Sequence, residues 1–196
     1  MRLLPCGPRA VLAEFDSLDE VMASASAWRT AAWPSVVDIV PAARTVLVVH
    51  DGSLDSSLLQ ASPPSTATVE ADPVEILVAY DGPDLESVAA AVGCSTAEVI
   101  ALHSAPTYRV AFCGFMPGFA YMVGAPAELH LPRLSTPRVR VPAGSVAVAG
   151  GYSGIYPRES PGGWHLLGRA DCELWDERRH VPALLPPGAA VRFVPA

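Results

Sequence analysis

The side chains that could do chemistry in this chain cluster in its second half, and few have the spacing that catalysis needs. Ser153 stands in Gly151-Tyr152-Ser153-Gly154-Ile155. A nucleophile elbow needs G-x-S-x-G running straight into a helix, so that the hydroxyl is exposed at a strand-to-helix turn. Here the second glycine comes one place early, and Ile155-Tyr156-Pro157 cannot begin that helix. Ser145 follows Gly144 and enters the apolar run Val146–Ala149, which reads as turn chemistry. His165, Cys172 and His180 lie seven and eight positions apart. That matches no compact zinc spacing, so no metal site is expected within the chain.

Arg138 and Arg140 flank Val139 on a strand-like run, where residues two apart share a face. Two guanidinium forks side by side suit a carboxylate or a phosphate. The same two residues could instead be solvated, or paired with Glu159 and Asp171. Tyr156, Arg158, Glu159 and Ser160 lie in a loop stiffened by Pro157 and Pro161. A stiff loop carrying a phenol, a carboxylate and a hydroxyl is a candidate site wall; a plain structural turn is the competing reading. Phe115, Met116, Phe119 and Tyr121 surround a Pro117-Gly118 turn. They read either as core or as anchors of a partner interface. His103 closes a helical run, where an imidazole can interact with the helix dipole.

These residues need elements to hold them. Ala10–Phe15 reads as a strand. Leu18, Val21, Met22, Ala25, Trp28 and Ala32 form one apolar helical stripe that begins at an Asp16/Ser17 cap and ends before Pro34. Ser35–Val40 and Thr45–His50 read as a hairpin, Leu54–Gln60 as a short helix, Ser62–Asp72 as a Pro/Ser/Thr-rich loop, and Val74–Tyr80 as a strand. That order, β-α-β-β-α-β, predicts a ferredoxin-like first domain over residues 1–82. Asp84–Val92 stops at Gly93, and Ser95–Leu102 opens on a Ser-Thr-Ala-Glu capping box, giving a helical pair. From Tyr108 onward, glycine and proline leave room only for short strands and tight turns. Residues 83–196 therefore read as a helical pair followed by a small β domain, and the fold class as α+β.

Composition narrows the function. The net charge is −7 and there is no basic run, so nucleic acid lacks its electrostatic footprint. No apolar stretch reaches the ~20 residues that span a bilayer, and the apolar part of the first ten residues is too short for a signal peptide. The four scattered cysteines lack C-x-x-C spacing, which fits a cytoplasmic protein. All thirteen basic residues are arginine. A Walker lysine, a Schiff base and a lysine general base are thereby excluded from this chain. Apolar residues make up 51% and charged residues only 17%, consistent either with a partner-covered surface or with alanine enrichment.

Three stretches resemble the Kip family, whose members are also known as the B subunits of 5-oxoprolinase or as allophanate hydrolase subunit 1. They are Gly114–Tyr121 (GFMPGFAY), Thr136–Val146 (TPRVRVPAGSV) and Gly154–Trp164 (GIYPRESPGGW). Tyr80–Leu85, Leu102-His103 and the C-terminal Leu185–Gly188 and Val191–Pro195 extend the likeness. It departs at Tyr152-Ser153, where Gln-Thr is usual, and at His165, where Gln is usual. The resemblance implies a cyclophilin-like β-barrel for the second domain. It implies a subunit of an ATP-dependent 5-oxoprolinase that works with a larger homologous carboxyltransferase-like subunit and is inactive alone, with a third lactam-handling subunit as a further partner. ATP, with Mg, would act at the assembled complex. The alternatives it carries are an allophanate hydrolase subunit and a non-enzymatic inhibitor of a sensor histidine kinase. On this reading His103 and Glu159 are catalytic candidates, and Arg138, Arg140, Tyr156 and Ser160 bind substrate or nucleotide. Phe115, Met116, Phe119 and Tyr121 face the partner.

Overall fold

A computed structural model describes residues 1–61 and 72–196. The chain forms two compact units, Met1–Glu70 and Ala71–Ala196. Of the expected Ser62–Asp72 loop, residues 62–71 lie outside the described residues.

The first unit runs β1 (Arg2–Pro5), β2 (Ala10–Glu14), α1 (Leu18–Ala31), β3 (Val36–Pro41), β4 (Thr45–His50) and α2 (Ser57–Ala61). Its sheet has the order β1-β2-β4-β3, antiparallel throughout. The Ser17 hydroxyl caps α1 by accepting the Glu20 N–H, at 3.3 Å. Val21, Ala25 and Trp28 on α1 bury against Ala13, Phe15, Ile39, Val46 and Val48 of the sheet and Leu59 of α2.

The ferredoxin-like expectation needs correction. Strands β2, β4 and β3 lie in the order that pattern requires, but the fourth strand does not join them. The N-terminal β1 takes the place beside β2 instead. The strand expected there, β5 (Val74–Val78), belongs to the second unit, where it pairs in parallel with β13 (Ala190–Pro195). Burial decides this. Ile76 and Val78 place their side chains in the second core with Val191 and Phe193. The boundary expected after residue 82 accordingly falls earlier, between Glu70 and Ala71.

After β5 the second unit continues through α3 (Leu85–Val92), α4 (Thr96–Ser104), β6 (Tyr108–Cys113), β7 (Ala120–Val123), β8 (Arg138–Val141), β9 (Ser145–Ala149), β10 (Tyr152–Ile155), β11 (Ser160–Gly162) and β12 (His165–Arg169) before β13. Seven strands form one sheet in the order β12-β9-β10-β7-β6-β13-β5, and β8 pairs separately with β11. The two edges of the large sheet meet: Ala79 donates to the Arg169 carbonyl at 2.9 Å and accepts from its N–H at 2.8 Å. The sheet is thus a nearly closed barrel. Closure needs glycine at the seam, because a Cβ on Gly82 would stand 2.2 Å from the Leu166 carbonyl oxygen and one on Gly168 2.3 Å from that of Ala79.

Helices α3 and α4 form the expected pair. Gly93 ends α3 at φ 79°, and the Ser95/Glu98 capping box opens α4. Among the described residues no single helix is long and apolar enough to cross a membrane. Only α3 and α4 together would be, and they are bent by 91°.

Candidate functional site

The structure sorts the candidate residues into two places. One lies inside the barrel. His103, at the end of α4, is wholly buried, as is Ser153 on β10. The His103 Nδ1 lies 2.8 Å from the Tyr80 hydroxyl, and its Nε2 lies 2.9 Å from Ser153 Oγ. Ser153 Oγ also reaches the Ala147 carbonyl at 3.4 Å. One proton arrangement satisfies the whole chain: Tyr80 O–H donates to Nδ1, Nε2–H donates to Ser153, and Ser153 donates to Ala147. The Tyr108 hydroxyl binds the His103 carbonyl at 2.9 Å, and the imidazole stacks on Phe193 with ring centres 4.5 Å apart. Burial pushes the imidazole down to about 3, and pushes the Tyr80 and Tyr108 phenols up.

This relay brings a serine and a histidine together but has neither the carboxylate nor the access of a catalytic triad. Ser153 sits mid-strand, and neither it nor His103 meets a surface. The catalytic expectation for His103 is therefore corrected to a structural one. Its neutral ring joins α4 to the barrel wall rather than capping the helix terminus. Of the sequence departures, Ser153 supplies the same hydroxyl that threonine would.

The second place lies outside the sheet, where β8 and β11 cross Tyr156. Here Asp84 is buried at the start of α3, and its carboxylate does not cap that helix. One oxygen accepts the Leu166 N–H at 2.7 Å, and the other accepts from Arg138 Nη2. The Arg138 Nη1 is buried with no hydrogen-bond partner among the described residues, and so is Ser160 Oγ. Tyr156 is buried against Phe119, with ring centres 5.3 Å apart. Burial pushes its phenol up, opposed by the Trp164 backbone amide and by the charges of Arg133 and Arg138. Gly162 lies directly over this phenol: a Cβ there would come 2.3 Å from Tyr156 Oη.

Arg138 and Arg140 do not share a face as expected. A bulge sets three β8 steps, Arg138 to Val141, against two of β11, Ser160 to Gly162, and so breaks the alternation on which that expectation rested. Val139 is 90% exposed, Arg138 turns in to Asp84, and Arg140 turns out to Glu159 at 3.0 Å. Glu159 is therefore a surface ion-pair partner, not placed for catalysis beside His103. Ser160 remains on the strand paired with β8. Asp84 and Arg133 escaped the sequence reading. Asp84 sat in a helix-start pattern that explained it, and an arginine in a proline-rich loop carries no pattern at all.

Phe115, at the tip of the Gly114–Gly118 turn, is 59% exposed and held at φ 66°. Met116 and Tyr121 are half-buried. Phe119 is only 1% exposed and packs on Tyr121, Tyr156 and Trp164, so its expected place as a surface anchor is corrected to a core ring. Among the described residues no group of three or more His, Cys, Asp or Glu is placed to hold a metal.

A fold of this kind recurs in solved structures. The urea amidolyase of K. lactis shares the fold, with a TM-score of 0.73 at 20% identity over 99% of this chain and 15% of that one. TTHA0988 superposes with a TM-score of 0.80 at 40% identity, covering 96% of this chain but 40% of that longer one. Residues 1–185 match the family described as carboxyltransferase domain, subdomain C and D, and the chain belongs to that family. Among its curated relatives, the B subunit of 5-oxoprolinase from Escherichia coli O157:H7 is 39% identical over 203 residues, 96% of this chain and 93% of the relative. The protein of the same name from Haemophilus influenzae is 44% identical over 124 residues, 62% of this chain and 58% of its own.

Proposed function

We propose that this chain is one subunit of an ATP-dependent lactam hydrolase that opens 5-oxoproline to glutamate, and that it acts with a larger homologous carboxyltransferase-like subunit. The observation that carries this reading is the similarity to the B subunit of 5-oxoprolinase along nearly the whole length of both chains. The chain's own chemistry supports a shared site. It has no lysine, the His103–Ser153 pair is sealed inside the barrel, and the Glu159 carboxylate is held in a surface ion pair. The nearly closed sheet with its helical pair supports a cyclophilin-like barrel.

The residues around Tyr156 do not fit a nucleotide. Arg138 is neutralised by Asp84, so a triphosphate would meet too little uncompensated positive charge here. ATP and its Mg belong to the assembled complex on this reading, with Arg138, Tyr156 and Ser160 on the lactam side. Phe115, Met116 and Tyr121 form the surface offered to the larger subunit. A lactam is a stable amide, which is why its opening needs coupling to ATP.

The test is glutamate release from 5-oxoproline, with and without ATP, by this chain alone, by the larger subunit alone, and by the co-expressed complex including a third subunit. Turnover is expected only in the complex and only with ATP. Robust turnover by the isolated chain, or none in any combination, would remove the reading.

A further inference from the structure

The helical pair carries a groove that the proposed function leaves unused. Glu98, Ala101, Leu102 and Ala105 follow one another at steps of three and four residues, so they share one face of α4. That face is one wall of an open groove of about 780 Å³, and the turn from Gly124 to Glu128 is the other. The turn is held in place from within. The His130 Nε2–H donates to the Ala125 carbonyl at 3.0 Å, and the Leu129 N–H donates to that of Pro126 at 3.0 Å. Leu129 itself is buried in one cluster with Val88 of α3 and Val99 of α4.

Helix α4 is apolar on both sides. Val99 and His103 face inward and are buried. The exposed side carries Ala97, Ala101 and Ala105, and its one charged residue is Glu98. A surface helix ordinarily turns a polar face to water, and a helix that is apolar all round is one covered on every side. Charge then selects the cover. Glu98 and Glu128 are the charged residues of the groove lining, and neither has a cation within ion-pair distance among the described residues. Glu98 caps α4 through Ser95 and keeps its charge while doing so. A second copy of this chain would bring more carboxylates to the same rim and no lysine. An anionic bilayer would be repelled by both carboxylates.

We propose that this groove binds an amphipathic helix of a partner protein. Its apolar face lies on Ala101, Leu102 and Ala105, and its lysine or arginine side chains reach Glu98 and Glu128. Backbone chemistry favours a helix over an extended peptide. The lining residues belong to helices and turns, so an added strand would find no sheet edge here and would bury its own N–H and C=O groups unpaired. A helix satisfies those groups internally. The alanine side chains of α4 also let a second helix come close, near the ~8 Å lower end of ordinary interaxial distances. This inference goes beyond the proposed function and does not depend on it.

The probe is a fluorescent model helix of about 16 residues, with leucine and alanine on one face and lysine on the other, titrated against the full chain by anisotropy. Saturable binding that weakens as salt rises is expected. The double variant Glu98→Gln/Glu128→Gln should weaken it roughly fivefold and flatten the salt dependence. Glutamine at 98 preserves the capping box, so α4 keeps its start. Ala101→Arg should abolish binding by placing bulk and like charge on the groove wall. Position 101 is exposed and arginine is a good helix former, so an unchanged melting temperature accompanies that loss. Bound peptide should also slow maleimide labelling of Cys94, which lines the groove, and leave exposed Cys6 unaffected. No saturable binding, equal binding of the peptide with glutamate in place of lysine, or indifference to Ala101→Arg would overturn the proposal. A dimer of this chain that Ala101→Arg dissolves, or binding to phosphatidylserine vesicles that it abolishes, would also overturn it by naming a different occupant.

Discussion

Mild acid should destabilise the second unit, and His103 should be the cause. In the folded state its imidazole is held neutral down to about 3, whereas the unfolded group has its ordinary value of 6.5. The depressed folded value fixes the sign. The stability that comes from the neutral ring is complete above 6.5 and falls away as pH drops from there towards 3, because the unfolded chain binds a proton that the folded one refuses. Each pH unit in that window removes about 1.4 kcal/mol. Between pH 6.5 and 4.5 the loss is therefore roughly 2–3 kcal/mol, a large part of the ~5–15 kcal/mol that holds a typical domain. The carboxylates with lowered values in this unit, Asp81, Glu98 and Asp176, start from ordinary values of 3.8, 4.5 and 3.8, so the stability they contribute is lost only towards the acid end of that window. The ring is surrounded by Tyr80, Tyr108, Ser153 and Phe193, none of which carries a compensating negative charge. The assay is hydrogen exchange at the β10 and β13 amides at pH 6.5, 5.5 and 4.5, corrected for intrinsic rates, so that the first unit does not contribute. His103→Gln should be less stable at neutral pH by about 1–3 kcal/mol, since the Tyr80 hydroxyl loses its acceptor. It should also lose the pH slope. A slope in the variant equal to that of wild type would refute the assignment.

Two further substitutions test the packing around Tyr156. Trp164→Ala should cost roughly 3–5 kcal/mol, because the indole is 4% exposed and packs on Phe119 and Tyr121; a melting temperature unchanged within a degree or so would contradict that burial. Phe115→Gly should stabilise the isolated chain by about 1 kcal/mol, since the left-handed backbone at φ 66° no longer carries a Cβ. It should also weaken the complex with the larger subunit, to be measured by light scattering on co-expressed chains; equal assembly would take Phe115 out of the interface.

The sequence was informative wherever a local rule was sufficient. The Ser95–Glu98 box, the Gly93 stop, the α1 stripe and the β3–β4 hairpin all stand as their residues indicate. It was uninformative where partners are distant. Nothing in Val74–Val78 says that the strand pairs with Val191–Pro195 rather than with its neighbours in sequence, so a plausible local order gave the wrong sheet. The candidate site shows the same limit. Alternation predicted one face for Arg138 and Arg140, and a single bulge separated them. Tyr156 and Ser160 stood out in the sequence because proline stiffened their loop. Asp84 did not, because its bonds to Arg138 and to the Leu166 amide exist only once β8 and β12 have met the start of α3.

The parallel pairing of β5 with β13 also sets a timetable. Val74 meets Val191, more than a hundred residues further along the chain. The seam between Ala79 and Arg169 spans almost as much. Non-local pairs of this kind form late, because the ordering of a long loop precedes any contact that rewards it. During synthesis β5 emerges early, with the apolar side chains of Ile76 and Val78 and an unpaired backbone edge. It must wait for the last strand of the barrel to be translated. Until then it is an open edge able to pair with any extended chain nearby. Production of this protein should therefore be governed less by the stability of the finished barrel than by what shelters that one strand in the interval.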